Sequence, residues 1–70
     1  MADMKVFYDR EGRTFTVWFT ERATEYICEE TGDEVILMKD AAGHVIGFEK
    51  LNFSIPSSDS LRVELETVPA

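Results

Sequence analysis

The stretch Val35-Ile36-Leu37-Met38-Lys39-Asp40-Ala41-Ala42-Gly43-His44-Val45-Ile46-Gly47-Phe48-Glu49-Lys50-Leu51 decides the fold. Its first four residues form an apolar run without alternation, the pattern of a strand covered on both faces. Asp40 and Gly43 then supply the chemistry of a tight loop. Beyond the loop, the two-residue period puts Val45, Gly47, Glu49, Leu51 and Phe53 on one face, and His44, Ile46, Phe48 and Lys50 on the other. Both faces are largely apolar. The unit is an antiparallel hairpin with greasy atoms on two sides.

Working outward toward the N-terminus, Lys5-Val6-Phe7-Tyr8 is short, aromatic and β-branched, and Asp9-Arg10-Glu11-Gly12-Arg13 closes it into a second hairpin. The returning arm, Thr14 to Phe19, points Phe15, Val17 and Phe19 one way and Thr14, Thr16 and Trp18 the other. Between the hairpins, Thr20 to Asp33 has two readings. Ala23, Tyr26, Ile27 and Glu30 sit at helical spacing with Gly32 as a stop, so one short helix fits within 20–32. A strand over Glu25 to Glu29 is preferred, because Glu25-Tyr26-Ile27-Cys28 is β-prone and Thr31-Gly32-Asp33 turns compactly into the next run. Toward the C-terminus, Ser54 to Ser60 is a Pro-containing loop. Leu61-Arg62-Val63-Glu64-Leu65-Glu66 alternates as an extra half-exposed strand within 61–67 should. The expected fold is all-β: one domain over 1–70, an antiparallel meander of five to six short strands.

Seventy residues with 14 Asp plus Glu against 7 Lys plus Arg carry a formal charge of −7. A chain this short buries only about 60% of its unfolded surface and gains roughly 3–5 kcal/mol from one core, so other supports are needed. A single cysteine rules out an internal disulfide, and no Cys/His set exists to hold zinc. Oligomerisation is the remaining device. One sheet cannot hide both sets of apolar side chains, so the sequence predicts a homodimer, with Trp18, Met38, Phe48 and Phe53 as candidate contacts. The competing reading curls the sheet into a half-barrel that buries both sets internally.

These residues resemble a family of small prokaryotic proteins known only as a domain of unknown function. The resemblance runs from Met4 to Ser54. It rests on Lys5-Val6-Phe7-Tyr8-Asp9, similar to an M-K-h-x-Y-D start, and on Asp40-x-x-Gly43 followed by Val45-Ile46-Gly47-Phe48-Glu49-Lys50-Leu51, similar to D-x-x-G-x-h-h-G-h-E-h-L. Thr14-Phe15, Lys50 and a longer middle loop depart from the pattern. The resemblance implies a small, self-associating β-domain without an established catalytic activity. Some relatives resemble the acidic member of a toxin–antitoxin pair, which transfers no residue to this chain.

Among residues that could carry chemistry, Glu49 stands out, because a carboxylate on an apolar face must be paired, hydrogen-bonded or protonated. Arg13, Lys5 or Tyr8 are its expected partners. A structural hydrogen bond or edge ion pair is preferred over a general base of raised pKa. With His44 and Tyr8 it forms the candidate polar site of an alternative reading, a small enzyme or ligand-binding domain with its cleft at a subunit junction. His44 alone reads as a solvated loop residue. Cys28 precedes two glutamates that oppose thiolate formation, so a buried or interface position is expected. Glu29, Glu30, Asp33 and Glu34 crowd a turn without calcium-loop spacing and read as a solvated acidic tip.

No metal or cofactor is expected. Scattered basic residues and the acidic balance argue against nucleic acid and against an anionic membrane surface. No leader-like or membrane-length apolar run is present, and the lone thiol fits a reducing cytoplasm. The preferred reading is a non-enzymatic interaction module: an acidic homodimer that engages a basic protein through an open strand edge and the Glu29 to Glu34 tip.

Overall fold

The computed structural model describes residues 3–21 and 25–69. Five strands run through it: β1 (Lys5–Asp9), β2 (Thr14–Trp18), β3 (Ile27–Glu30), β4 (Val35–Lys39) and β5 (Val45–Leu51). They form one antiparallel sheet in the order β1-β2-β5-β4-β3. Two local units, the β1-β2 hairpin and the β3-β4-β5 meander, therefore join where β2 lies beside β5. Among the described residues there is no helix. The preferred strand reading of the middle segment holds from Ile27, while the part of the helical alternative on 22–24 lies outside the described residues.

The turns follow their chemistry. At β4-β5, the Asp40 carboxylate accepts from the Ala42 and His44 amides at 3.0 and 2.9 Å, and Gly43 takes the left-handed conformation at φ 86° that closes the loop. At β3-β4, the Thr31 hydroxyl donates to the Val35 carbonyl at 2.9 Å, with Gly32 at φ 90°. Both glycines stand where a side chain would strain the backbone.

Register sorts the side chains onto two faces. On the Trp18 face, one row across the sheet reads Phe7, Thr16, Glu49, Ile36, Glu30, and the next reads Lys5, Trp18, Gly47, Met38, Cys28. On the Phe48 face the central row is Val6, Val17, Phe48, Leu37, Glu29. Trp18, Met38 and Ile46 make the buried cluster, with Tyr26 and Ile36 packed against it. Simple alternation puts Ile46 opposite Gly47, yet a register shift between Met38 and Lys39 pairs Lys39 with Val45 and leaves Ile46 as the extra residue. The bulge carries Ile46 into the Trp18 cluster and sends Val45 to the Phe48 face, a correction to the expected period.

A second correction concerns Phe53. Asn52 adopts φ 53°, which ends the ladder and reverses parity. Phe53 therefore packs on Tyr8 and Phe15, at ring centroids 5.6 and 5.1 Å, rather than beside Glu49.

The sheet stays open. Its radius of gyration is 13.7 Å, against about 11 Å for a compact domain of this length. Both β1 and β3 are unpaired edges, so the half-barrel closure does not occur. The sixth strand expected over 61–66 does not form either. Arg10 donates to the Asp59 carbonyl at 3.2 Å, and beyond that tie the chain finds no ladder partner, leaving Val63 and Leu65 exposed. Alternation records a capacity to pair, and pairing also needs a free edge within reach.

Candidate functional site

The three residues of the candidate polar site do not come together. Glu49 lies mid-strand on the Trp18 face. His44 sits in the β4-β5 loop, 79% exposed and 3.4 Å from the Asp40 carboxylate. Tyr8 belongs to the Phe48 face, where its hydroxyl accepts from the Ile55 amide at 3.2 Å. With no shared cavity, the reading that combined them loses its geometry.

Glu49 does occupy a defined environment. Thr16, directly opposite on β2, donates its hydroxyl to Glu49 Oε2 at 3.2 Å. This is its one partner among the described residues, so the expected pairing with Arg13, Lys5 or Tyr8 gives way to a neighbour that cross-strand register supplies. Around it opens a groove of about 270 Å³ lined by Phe7, Thr16, Trp18, Tyr26 and Glu49. The Trp18 and Tyr26 rings meet edge to face, 5.1 Å between centroids and 78° between planes. Phe7, on the edge strand, is 53% exposed.

Trp18 is seated this deeply because Gly47 lies beneath it. A Cβ on Gly47 would stand 2.6 Å from the Val17 carbonyl oxygen, 3.2 Å from Trp18 Cε3 and 3.3 Å from Met38 Cε. The missing side chain lets the indole and the thioether close over the backbone. Trp18 and Met38 retain only 5% and 4% of their surface. As candidate dimer contacts they are therefore already consumed within one subunit, whereas half-buried Phe48 meets Phe19 on the other face, centroids 5.9 Å apart.

The Phe48 face buries Val17 and packs Phe53 on Tyr8 and Phe15, yet it carries the longer exposed apolar band. Val6, Phe19, Val45 and Ile27 are all large, apolar and exposed there, Ile27 to 64%. They run from one edge strand to the other, interrupted by the ion pair of Lys39 with Glu29.

The acidic tip is only half as free as its composition suggests. Glu29 is taken by Lys39. Glu34 accepts from Lys50 at 3.3 Å and from Asn52 at 3.1 Å; the Lys50 hydrogen bond above all holds its carboxyl below the usual range. Glu30 and Asp33 have no ion pair among the described residues. No cluster among the described residues has the makings of a metal site. Cys28, expected to be buried or at an interface, is exposed on edge strand β3, because a four-residue strand at the sheet margin has no neighbour to cover it.

Charge also divides by face. The strands place Asp9, Glu30 and Glu49 against a single Lys5 on the Trp18 face, and Lys39 and Lys50 against Glu29 on the other. Strand register produces this sorting, and no local motif announces it.

Residues 5–54, a span containing all five strands, match the model of a family described as "Protein of unknown function (DUF2283)". No curated protein and no solved structure matches the chain.

Proposed function

The chain belongs to the DUF2283 family, and from that premise we propose that it is a non-enzymatic interaction module, a cytoplasmic homodimer that covers its Phe48 face with a second copy and engages a basic protein. The observation that carries this reading is the uncovered apolar band of Val6, Phe19, Val45 and Ile27. A sheet with four buried apolar side chains among its described residues has little core of its own. Water-exposed bands of this kind mark contact surfaces, and a two-fold axis is the simplest way to close one on itself. The Lys39–Glu29 pair suits such a contact, since its two charges compensate each other within one subunit.

The sign of the second partner rests on what the dimer leaves free: the Trp18 face with its excess carboxylates, Glu30 and Asp33, which have no ion pair among the described residues, and a net charge of −7. Opposite-sign surfaces speed encounter and suppress wrong partners.

Light scattering over a concentration series tests the dimer. Wild type is expected at twice the chain mass and Val45→Lys at the mass of one chain, because a buried ammonium on the band is costly. A wild-type protein at single-chain mass throughout the series overturns the reading.

A further inference from the structure

We propose that the groove between Phe7 and Tyr26 takes an arginine side chain of the basic partner, with Glu49 as the counter-charge at its floor. The inference rests on the basic-partner reading and names the atoms that would serve it.

Three features converge on a cation. Glu49 is a half-buried carboxylate whose one partner among the described residues is a neutral hydroxyl, Thr16 Oγ1 on Oε2, and no described residue donates to Oε1. The carboxylates Glu29 and Glu34, by contrast, already hold lysines. The exposed Phe7 and the half-buried Tyr26 give the groove aromatic walls, and ring faces attract cations most where water is displaced. Lys5, the one basic strand residue on this face, lies in the adjacent row opposite Trp18 and forms no ion pair among the described residues.

Arginine fits better than lysine. Its guanidinium is flat, weakly hydrated and delocalised, so it stacks on a ring while its N–H fork meets a carboxylate edge-on. The groove, at about 270 Å³, falls below the roughly 300–1,000 Å³ of a drug-sized ligand site. A single long side chain is the matching occupant.

The chain has one tryptophan, so Trp18 fluorescence reports on the groove directly. The probes are a capped Gly-Arg-Gly peptide and its citrulline analogue, which keeps shape and loses charge. Wild type should respond saturably to the arginine peptide and at least about ten-fold more weakly to citrulline, as loss of a charge-assisted contact requires. Glu49→Gln, which retains an acceptor for Thr16, should weaken the arginine response by a similar factor. Phe7→Ala, which removes an exposed wall and leaves the core intact, should weaken it too. Equal responses to both peptides, or unaltered binding by Glu49→Gln, overturn the assignment. Calorimetry with poly-arginine separates this from the broader reading. Binding that survives Glu49→Gln but not the Glu30→Gln/Asp33→Asn double variant sinks the groove and leaves a basic partner standing. No binding by wild type sinks both.

Discussion

Trp18 and Gly47 are directly opposed across β2 and β5, and the indole occupies the space that a side chain on Gly47 would fill. Gly47→Ala should therefore destabilise the protein, because a Cβ 2.6 Å from the Val17 carbonyl meets backbone that cannot step aside. A cost of about 1–3 kcal/mol is expected for overpacking of this kind. In a domain this small that lowers the melting temperature by roughly 4–8 °C per kcal/mol. A melt superimposable on wild type would show that the strands can part without loss.

Thr16→Val removes the hydroxyl that Glu49 accepts and leaves the carboxylate beside aromatic rings without it. The bond is half-buried, so the loss should be about 0.5–1.5 kcal/mol, while Thr16→Ser should retain most of it. Urea unfolding of the two variants checks this, and equal midpoints would mean that the hydroxyl contributes no more than the methyl group that Ser lacks.

Asp40 gives the fold an acid limit. The His44 amide, with the Ala42 amide behind it, holds its carboxyl below the usual range, so between the folded and unfolded values the unfolded chain binds more protons. Stability from this loop is full above about pH 4 and lost as pH falls through the lowered folded value. Glu34 has the same sign. Melting temperature against pH should fall less steeply on the acid side for Asp40→Asn than for wild type; parallel curves would remove Asp40 from the account.

Cys28 reports which face a second copy covers. It is exposed on the Trp18 face, so in a dimer closed through the Phe48 face it should react with a thiol reagent at the same rate at dilutions that leave single chains and at concentrations that give the dimer. Strong protection at concentrations where light scattering finds a dimer would move the interface to the other side.

The segment after Ser60 has no ladder bonds, and its ion pair, Arg62 with Glu64 at 2.8 Å, is local. Ending the chain at Ser60 should change stability by no more than about 0.5 kcal/mol, the range of exposed positions. A larger loss would mean that Leu61, Val63 or Leu65 packs on something the monomer lacks.

Much of the fold was legible in the letters. Apolar and β-branched runs marked β1, β2, β4 and β5 and favoured a strand over a helix at β3, and Asp-x-x-Gly and Thr-Gly-Asp marked two of the turns, because both signals are local: a side chain alternates with its own backbone and a turn needs only its own residues. The position of Glu49 on an apolar face was legible for the same reason. Its partner was not, since Thr16 lies 33 residues away in sequence and only the β2-β5 register brings them together. Trp18 read as a dimer contact beside Thr14 and Thr16, and nothing local to it reveals that Gly47 offers it a seat.

By itself, then, the sequence determined the all-β antiparallel class, four of the strands, the acidic balance and the shortage of core. Tertiary structure decided the strand order, the bulge that moves Ile46, the Asn52 reversal that moves Phe53, the face on which each charge falls, and the groove between Phe7 and Tyr26. The division has one physical cause. Periodicity constrains a strand against its own axis, whereas strand partnership, register shifts and parity breaks are settled by contacts between residues far apart in the chain.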